Sequence, residues 1–450
     1  MGLSGLAIYK LLPKTNCKEC GFPTCLAFAM KLAALQAELS ACPYVSEEAK
    51  AALDAASAPP IRLVTVGSGE RKVEAGNETV LFRHEKTFYH QPGIFIRLRD
   101  DEPAEAFANK VKAIASYTVE RVGISMNVSG VAVESKSGNP QNFGACVAQA
   151  VAAGLAIILI SDNPTVLEAG LKAAQGTSPL IYAVKDGNWE ALASLAIQYK
   201  VPLAVRGSGD LSALAEMTQK LDGKGVKDIV LDPGTRGWSD SLAAFTQLRR
   251  LALKKNLRAL GFPIIAFPGE GAVDEEDEAL RAAQCVAKYA GYIVLERFDP
   301  AILYPLLTLR QNIYTDPQKP IQVSPGLYEI GKPGPESPLL VTTNFSLTYF
   351  SVAGEVEGSG IPAWLLITDA EGMSVLTAWA AGKFDADRIA KSVNTTGVSD
   401  KINHKKIIIP GYVASISGEL EEALPGWQVL VGPREAIGIP SFLKVYTQSA

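Results

Sequence analysis

The chain has 450 residues, 48 % of them apolar and 20 % charged, with a formal net charge of −4. That length exceeds what one hydrophobic core serves, so two or three globular domains are expected. The slight acidity excludes a general affinity for nucleic acid. No run approaches the roughly 18 uninterrupted apolar residues of a membrane span, Leu155–Ile160 being only strand length.

Four of the six cysteines fall near the start, as Cys17-x2-Cys20-x4-Cys25-x16-Cys42-Pro43. A 4Fe–4S cube needs four thiolates, and short Cys-x-x-Cys steps let one loop wrap three corners. The fourth ligand comes from farther along, often with a proline behind it. A structural zinc ion also takes four thiolates, but typically as two close pairs. Disulfides need an oxidising compartment, and Met1–Lys10 lacks the apolar run and cleavage site of a secretory leader. The spacing therefore ranks the cube first, zinc second and disulfides last, and an oxygen-poor cytoplasm is the expected setting. Cys146 and Cys285 lie alone in alanine-rich stretches and read as small apolar core residues.

Leu26–Ser40 has the composition of a helix. As one straight rod it would hold Cys42 about 20 Å or more from Cys25, too far for one cube, so a bend is expected around Leu32–Gln36. A second helix should open at Ser46-Glu47-Glu48, where a hydroxyl and two acids suit the unpaired N–H groups of a helix start. Residues 1–57 thus form a small unit, and Ala55–Pro60 reads as a linker. The stretch 58–92 is expected to bridge to the next domain, with strand-like pieces at Arg62–Val66 and Thr79–Phe82.

Residues 93–314 alternate β-type runs with helical stretches. The runs are Ile94–Leu98, Val122–Val133 (interrupted), Leu155–Ile160, Leu180–Val184, Leu203–Val205, Ile229–Leu231, Ile264–Phe267 and Tyr292–Leu295. Helices are expected at Pro103–Val119, Pro164–Ala174, Leu211–Leu221, Ser239–Leu253 and Glu275–Ala290. Eight such units predict a closed (β/α)8 barrel of TIM type. The alternative, an open doubly wound sheet, would usually carry a glycine-rich phosphate loop after its first strand. Gly67-Ser68-Gly69 and Gly207-Ser208-Gly209 are too short for a dinucleotide loop, and Gly382-Lys383 is no Walker motif. Asp232-Pro233-Gly234-Thr235-Arg236-Gly237-Trp238 belongs at the face where barrels place catalysis, yet the loops offer no clear acid–base pair. Glu275-Glu276-Asp277-Glu278 reads as a solvated helix start.

Residues 315–338 hold six prolines from Pro317 to Pro338 with Gly326, Gly331 and Gly334, and read as an extended linker. Residues 339–450 return to alternation, with strands at Leu339–Thr342, Ala363–Thr368, Lys406–Ile409 and Val429–Val431. Helices belong at Ser374–Ala381, Ala386–Ser392, Ser415–Leu424 and near Pro440. This is a small α/β domain with a parallel-type, Rossmann-like sheet. Ligands bind such sheets at the carboxyl ends of their strands. The candidate residues there are Thr342, Thr343, Asn344, Phe345 and Ser346, followed by Thr368, Asp369, Ala370, Glu371, Gly372, Met373 and Ser374. Gly411, Tyr412 and Ala414 belong to a third loop, and Gly432, Pro433, Arg434, Glu435 and Ala436 to a fourth. Small and hydroxyl residues suit a large ligand decorated with amides; equally, they suit helix caps and turns.

The run Lys14-Thr15-Asn16-Cys17-Lys18-Glu19-Cys20-Gly21-Phe22-Pro23-Thr24-Cys25, with Ala41-Cys42-Pro43-Tyr44, resembles the large subunit of corrinoid iron–sulfur proteins of the anaerobic acetyl-CoA pathway. That family includes the gamma subunit of archaeal acetyl-CoA decarbonylase/synthase. The loops Thr342–Ser346 and Thr368–Ser374 are similar to it as well, and the resemblance runs the full length. It implies a 4Fe–4S domain ligated by Cys17, Cys20, Cys25 and Cys42, a TIM-like barrel and a C-terminal corrinoid-binding domain. It also implies a methyl carrier rather than a stand-alone catalyst. Co(I) would take a methyl group from methyltetrahydrofolate on a methyltransferase and deliver it to acetyl-CoA synthase, while the cluster restores Co(I) from Co(II). The implied partners are a small barrel subunit forming a heterodimer, that methyltransferase, acetyl-CoA synthase and a reductive activator or ferredoxin, with no nucleic acid and no membrane. Only His84, His90 and His404 occur, and the Asp-x-His-x-x-Gly motif that ligates cobalt elsewhere is absent; a base-off corrinoid without a histidine ligand follows. Two rivals stand beside this reading: a ferredoxin-like electron-transfer subunit without corrinoid, and a barrel enzyme acting on a pterin.

Overall fold

The computed structural model describes residues 5–33, 37, 39–46, 49–50, 59–121, 124–316 and 321–449. At the amino end two short helices, Gly5–Leu11 and Cys25–Ala33, pack through Ile8, Leu12, Phe28 and Ala29. The second helix is described from Cys25 to Ala33 and does not run to Ser40, where a single 3-10 turn, Leu39–Ala41, stands instead. The expected bend falls mostly on residues 34–36, outside the described residues. Ser46 starts a turn as its sequence implies: its Oγ accepts Ala49 N–H at 3.1 Å and its carbonyl accepts Lys50 N–H at 2.8 Å. Residues 51–58, with most of the Ala55–Pro60 linker, lie outside the described residues.

The bridging role expected of 58–92 needs correction. Strands β1 (Val64–Val66) and β2 (Val73–Ala75) form an antiparallel hairpin. Their valines pack with Phe95, Ala156, Tyr182 and Tyr292 in one buried cluster. Alternating valines make this hairpin apolar on one side, and that side has nowhere to go but the floor of the barrel. The fit is close: a Cβ on Gly93 would sit 2.7 Å from the Val73 side chain, and one on Gly291 2.6 Å from Ala75. Tyr292 Oη donates to the Val64 carbonyl at 2.8 Å. Thr79–Phe82 is loop, not strand.

The barrel closes as read. After β3 (Gly93–Arg99), the interrupted run resolves into a small hairpin, β4 (Thr118–Arg121) and β5 (Ile124–Asn127), then β6 (Gly130–Glu134). Next come β7 (Ala156–Ile160), β8 (Leu180–Val184), β9 (Leu203–Arg206), β10 (Ile229–Asp232), β11 (Ile264–Ala266) and β12 (Ala290–Leu295). Strands β3 and β6–β12 pair in parallel, and β12 returns to β3 to close eight strands. Alternate residues face in and out: Ala132, Ile158, Ala204, Val230 and Val294 fill the interior, while Ile94, Val131, Ile157 and Leu231 meet the helices. Helices follow the strands, several of them capped by Asn139, Asn163, Asp210, Asp274 or Asp299.

The C-terminal sheet holds β13 (Gly326–Ile330), β14 (Leu339–Thr343), β15 (Ala363–Thr368), β16 (Lys406–Ile409) and β17 (Gln428–Val431), in the order β13-β15-β14-β16-β17. The strands expected from the sequence are all present and parallel. The linker reading of 315–338 is corrected in part, because β13 lies within it as an antiparallel edge strand along β15. Proline is tolerated beside such an edge. Helices Ser346–Ser359 and Ile439–Ser449 cover one face; Val375–Ala380, Ala386–Thr396 and Ser417–Ala423 cover the other. Among the described residues no helix is long and apolar enough to cross a membrane.

Candidate functional site

Two places hold the candidate residues. In the first, the loop between the amino-terminal helices has left-handed backbone at Lys14, Asn16, Lys18 and Gly21 (φ 58, 51, 69 and 83°). Left-handed residues alternating with others turn successive N–H groups toward one side, a concavity that suits an anion. Asn16 ties the loop to the helix start: its Oδ1 accepts Cys25 N–H at 2.8 Å, and its own N–H lies 3.4 Å from Cys25 Sγ. Cys25 is the first residue of its helix. Cys25 and Cys42 share one buried cluster, with Cys20 packed against it and Cys17 exposed on the loop. Tyr44 Oη donates to Glu19 at 2.8 Å; that bond and the carboxylate's charge raise the phenol's pKa. Among the described residues no three acid, imidazole or thiol groups converge as one ion would require. A cube makes no such demand, since each thiolate meets a different corner.

The second place lies in the C-terminal sheet. The chain runs from β14 to β15 on one side and returns to β16 on the other, so the strand order reverses between β14 and β16. This is where open α/β sheets hold ligands. Here the strands also part: β14 and β15 pair along five residues, but β14 and β16 meet only at Leu340 and Ile408. A groove of about 340 Å³ opens at the split. Leu340, Val352, Ile408 and Ile439 form its apolar depth, and Thr342, Ser374, Tyr412 and Arg434 its polar upper wall.

Of the candidate residues, Thr342, Ser374, Tyr412, Gly432, Pro433, Arg434, Glu435 and Ala436 line this groove. Tyr412 Oη donates to Glu435 at 2.5 Å. Gly411 packs against the neighbouring loop, donating its N–H to Pro433 at 3.0 Å. Thr343, Asn344, Phe345, Ser346, Thr368, Asp369, Ala370, Glu371, Gly372, Met373 and Ala414 do not line the groove. The hydroxyls of Thr342, Thr343 and Thr368 are buried with no hydrogen-bond partner among the described residues. Each such orphan costs about 1–3 kcal/mol if left dry; Thr342 stands in the groove wall, while Thr343 and Thr368 pair side by side on the other face of the sheet. His404 is engaged elsewhere, its Nε2 2.9 Å from the Ser337 carbonyl and its Nδ1 accepting Lys406 N–H at 3.2 Å, at the opposite end of β16. Among the described residues no histidine lines the groove.

A family model described as CO dehydrogenase/acetyl-CoA synthase delta subunit matches residues 63–443, and an Fe-S cluster model matches residues 12–44. The corrinoid/iron-sulfur protein large subunit of Moorella thermoacetica is 49 % identical over 99 % of both chains. The acetyl-CoA decarbonylase/synthase complex subunit gamma of Methanosarcina acetivorans is 38 % identical over 98 % of both. The chain belongs to the corrinoid/iron–sulfur large-subunit family. A further relative, from Methanopyrus kandleri, is likewise a gamma subunit of acetyl-CoA decarbonylase/synthase. Among solved structures, dihydropteroate synthase from Thermus thermophilus covers 56 % of this chain and 100 % of its own, at 17 % identity and a TM-score of 0.37.

In this member of the family the mouth of the barrel is filled by its own charges. Asp232, fully buried, accepts Tyr182 Oη at 2.6 Å, Gly234 N–H at 2.8 Å and both Arg236 Nη atoms at 2.9 and 2.8 Å. Arg97 bonds Glu270 at 2.7 Å and Glu296 at 2.8 Å, and Arg236 takes the other Glu270 oxygen at 2.5 Å. Phe267 lies beside both guanidiniums, 5.1 Å from Arg97 and 5.5 Å from Arg236. Burial pulls the Glu270 pKa upward, but the two arginines outweigh it and hold the carboxyl below its ordinary range. The hollow beside Thr235 and Phe267 measures about 20 Å³, room for one water. Each of these carboxylates is held by a cation. The acidic run at Glu275 is only partly solvated, a correction: Glu278 is buried and accepts Glu296 N–H at 2.6 Å. Sequence reasoning missed this network because its members lie far apart in the chain. The available signal was a charged residue in or just after five of the eight barrel strands: Arg97, Glu134, Arg206, Asp232 and Glu296.

Proposed function

We propose that this chain is a methyl-group carrier of the anaerobic acetyl-CoA pathway, holding a corrinoid in the C-terminal groove and a 4Fe–4S cluster on Cys17, Cys20, Cys25 and Cys42. The observation that carries it is the groove at the split between β14 and β16, with the unpartnered hydroxyl of Thr342 in its wall. The named relatives support it. When bound, the corrinoid supplies a cobalt centre able to accept and release a methyl group, and the cluster supplies single electrons.

The residues themselves bind, orient and exclude water. Thr342 offers its hydroxyl to the amide-bearing rim of the ligand, joined by Ser374, Tyr412 and the backbone of Gly432–Ala436, with Thr343 and Thr368 behind it at the same strand ends. Leu340, Val352, Ile408 and Ile439 take its apolar part and keep water out. Asn344 and the residues Phe345, Ser346 and Asp369–Met373 shape the loops, with Gly411 and Ala414 packing behind. No histidine is placed to ligate a metal in the groove, so the cobalt is expected base-off without a protein imidazole. The barrel, its mouth closed by ion pairs, serves as scaffold and docking surface. The partners are a small barrel subunit, a methyltetrahydrofolate methyltransferase, acetyl-CoA synthase and a reductive activator or ferredoxin. Residues 1–57 form the cluster domain. The hairpin of β1 and β2 joins the barrel of 93–314, and β13 joins the corrinoid domain of 339–450.

Metal analysis and the visible spectrum of anaerobically purified protein test this. About one cobalt and four irons per chain are expected, with corrinoid bands beside the iron–sulfur shoulder. Iron without cobalt, after the chain is offered cobinamide, would leave the electron-transfer reading instead.

A further inference from the structure

Gln322 lies in the connection leaving the barrel and belongs to none of the strand-end loops. Even so, it reaches the centre of the loop structure beside the groove. The link is Asn344, 1 % exposed at the end of β14. Its Oδ1 accepts Ala370 N–H at 2.9 Å and Gly372 N–H at 3.0 Å, and its Nδ2 donates to Gln322 Oε1 at 3.3 Å and Asp369 Oδ1 at 3.2 Å. An amide has two acceptor sites and two donors, so this side chain is fully committed. Its backbone is committed as well, donating to Thr368 at 3.1 Å and accepting Val323 N–H at 2.9 Å.

The turn that Asn344 holds needs holding. Glu371 and Gly372 are both left-handed (φ 54 and 74°), and only glycine adopts that state cheaply. Gln322 also packs directly on this turn: a Cβ on Gly372 would lie 2.6 Å from Gln322 Nε2. The same loop then delivers Ser374, Val375 and Leu376 to the groove wall.

We infer that Gln322 is a positioning residue of the groove, acting through Asn344 to fix the turn at Glu371-Gly372 and so the wall that faces the ligand. This rests on the corrinoid reading and adds a member to the site. Because Gln322 belongs to the connection, the path of that connection and the grip on the ligand are thermodynamically linked.

The test titrates the full chain, freed of cofactor under anaerobic conditions, with cobinamide and with hydroxocobalamin. Gln322→Ala should weaken binding of both about tenfold, and the visible circular dichroism of the bound corrinoid should change. The unfolding midpoint without corrinoid should stay that of the unsubstituted chain. Asn344→Ala should weaken binding further, and Gln322→Ala should then add nothing, since its route is already cut. If Asn344→Ala does not fold, Gln322→Ala alone decides. Undiminished affinity in Gln322→Ala, or a loss matched by an equal loss of ligand-free stability, overturns the inference while the corrinoid reading stands. Failure of the unsubstituted chain to take up either probe overturns both.

Discussion

Cys17 differs from its partners in being exposed, while Cys25 and Cys42 are buried among Ile8, Leu12 and Phe28. Replacing it removes a thiolate without opening a hole in that packing. Cys17→Ala should therefore lower bound iron by at least half and impair reductive rescue of the carrier, while methyl transfer from pre-reduced protein stays largely intact. Assays of both steps on one preparation check it, and equal loss in both would count against the cluster's role. Glu278 gives a second expectation at this scale. Burial raises its pKa, helped by the charge of Glu296 and opposed by the Glu296 N–H and Arg97. A raised folded value means its contribution to stability is fully present below the ordinary carboxyl range and is lost as pH rises through that value. Glu278→Gln keeps an acceptor for the Glu296 N–H and has no charge to bury. Its unfolding midpoint should exceed that of the unsubstituted protein at pH 7, with the gap closing below about pH 4; thermal scans across that range check the sign. The iron–sulfur segment was legible because cysteine spacing is itself the chemistry, and a cluster family model matches residues 12–44. The threonines looked like caps, and Glu278 like a solvated acid, because the partner each has or lacks comes from another strand.

At the scale of elements, runs of β-branched residues identified the barrel and the four parallel strands, since a strand buried on both faces is continuously apolar. The same rule concealed β2 and β13, only three and five residues long and set among glycines and prolines, while β1 falls within the strand-like piece expected at Arg62–Val66. Helix Ser346–Ser359 also escaped notice, because its serines, threonines and glycines are poor helix formers and its packing on β14 supplies the stability. The hairpin's role in the floor has a measurable consequence. Tyr292→Phe removes the buried bond to Val64 and keeps the ring, so denaturant unfolding should show a loss of about 1 kcal/mol. The split between β14 and β16 has another. Val352 faces the groove, and its space of about 340 Å³ can take an indole. Val352→Trp should cut corrinoid uptake at least tenfold while changing ligand-free stability by no more than the about 1–3 kcal/mol of an overpacked site. Unaltered uptake would put the ligand elsewhere.

At the scale of the whole molecule, the barrel and the C-terminal sheet have separate cores. The clusters around Ile94, Val131 and Leu231 and around Phe95, Tyr182 and Tyr292 share no residue with those around Val341 and Ile389 or around Leu340 and Val356. Length and composition foretold several cores, and the proline-rich stretch marked the junction between these two. Separate cores imply separate unfolding units, each responding only to a ligand bound in its own native state. At a corrinoid concentration 100 times its Kd, binding adds about 2.7 kcal/mol to the unit that holds it. For a unit of little more than 100 residues that raises the midpoint by about 10 °C. Calorimetry of the cofactor-free chain should therefore resolve the C-terminal sheet from the barrel. Added corrinoid should move the first transition by about that amount and leave the second within a degree. A single transition that shifts as a whole would mean the groove draws its stability from the barrel too, and the two cores would then unfold as one unit.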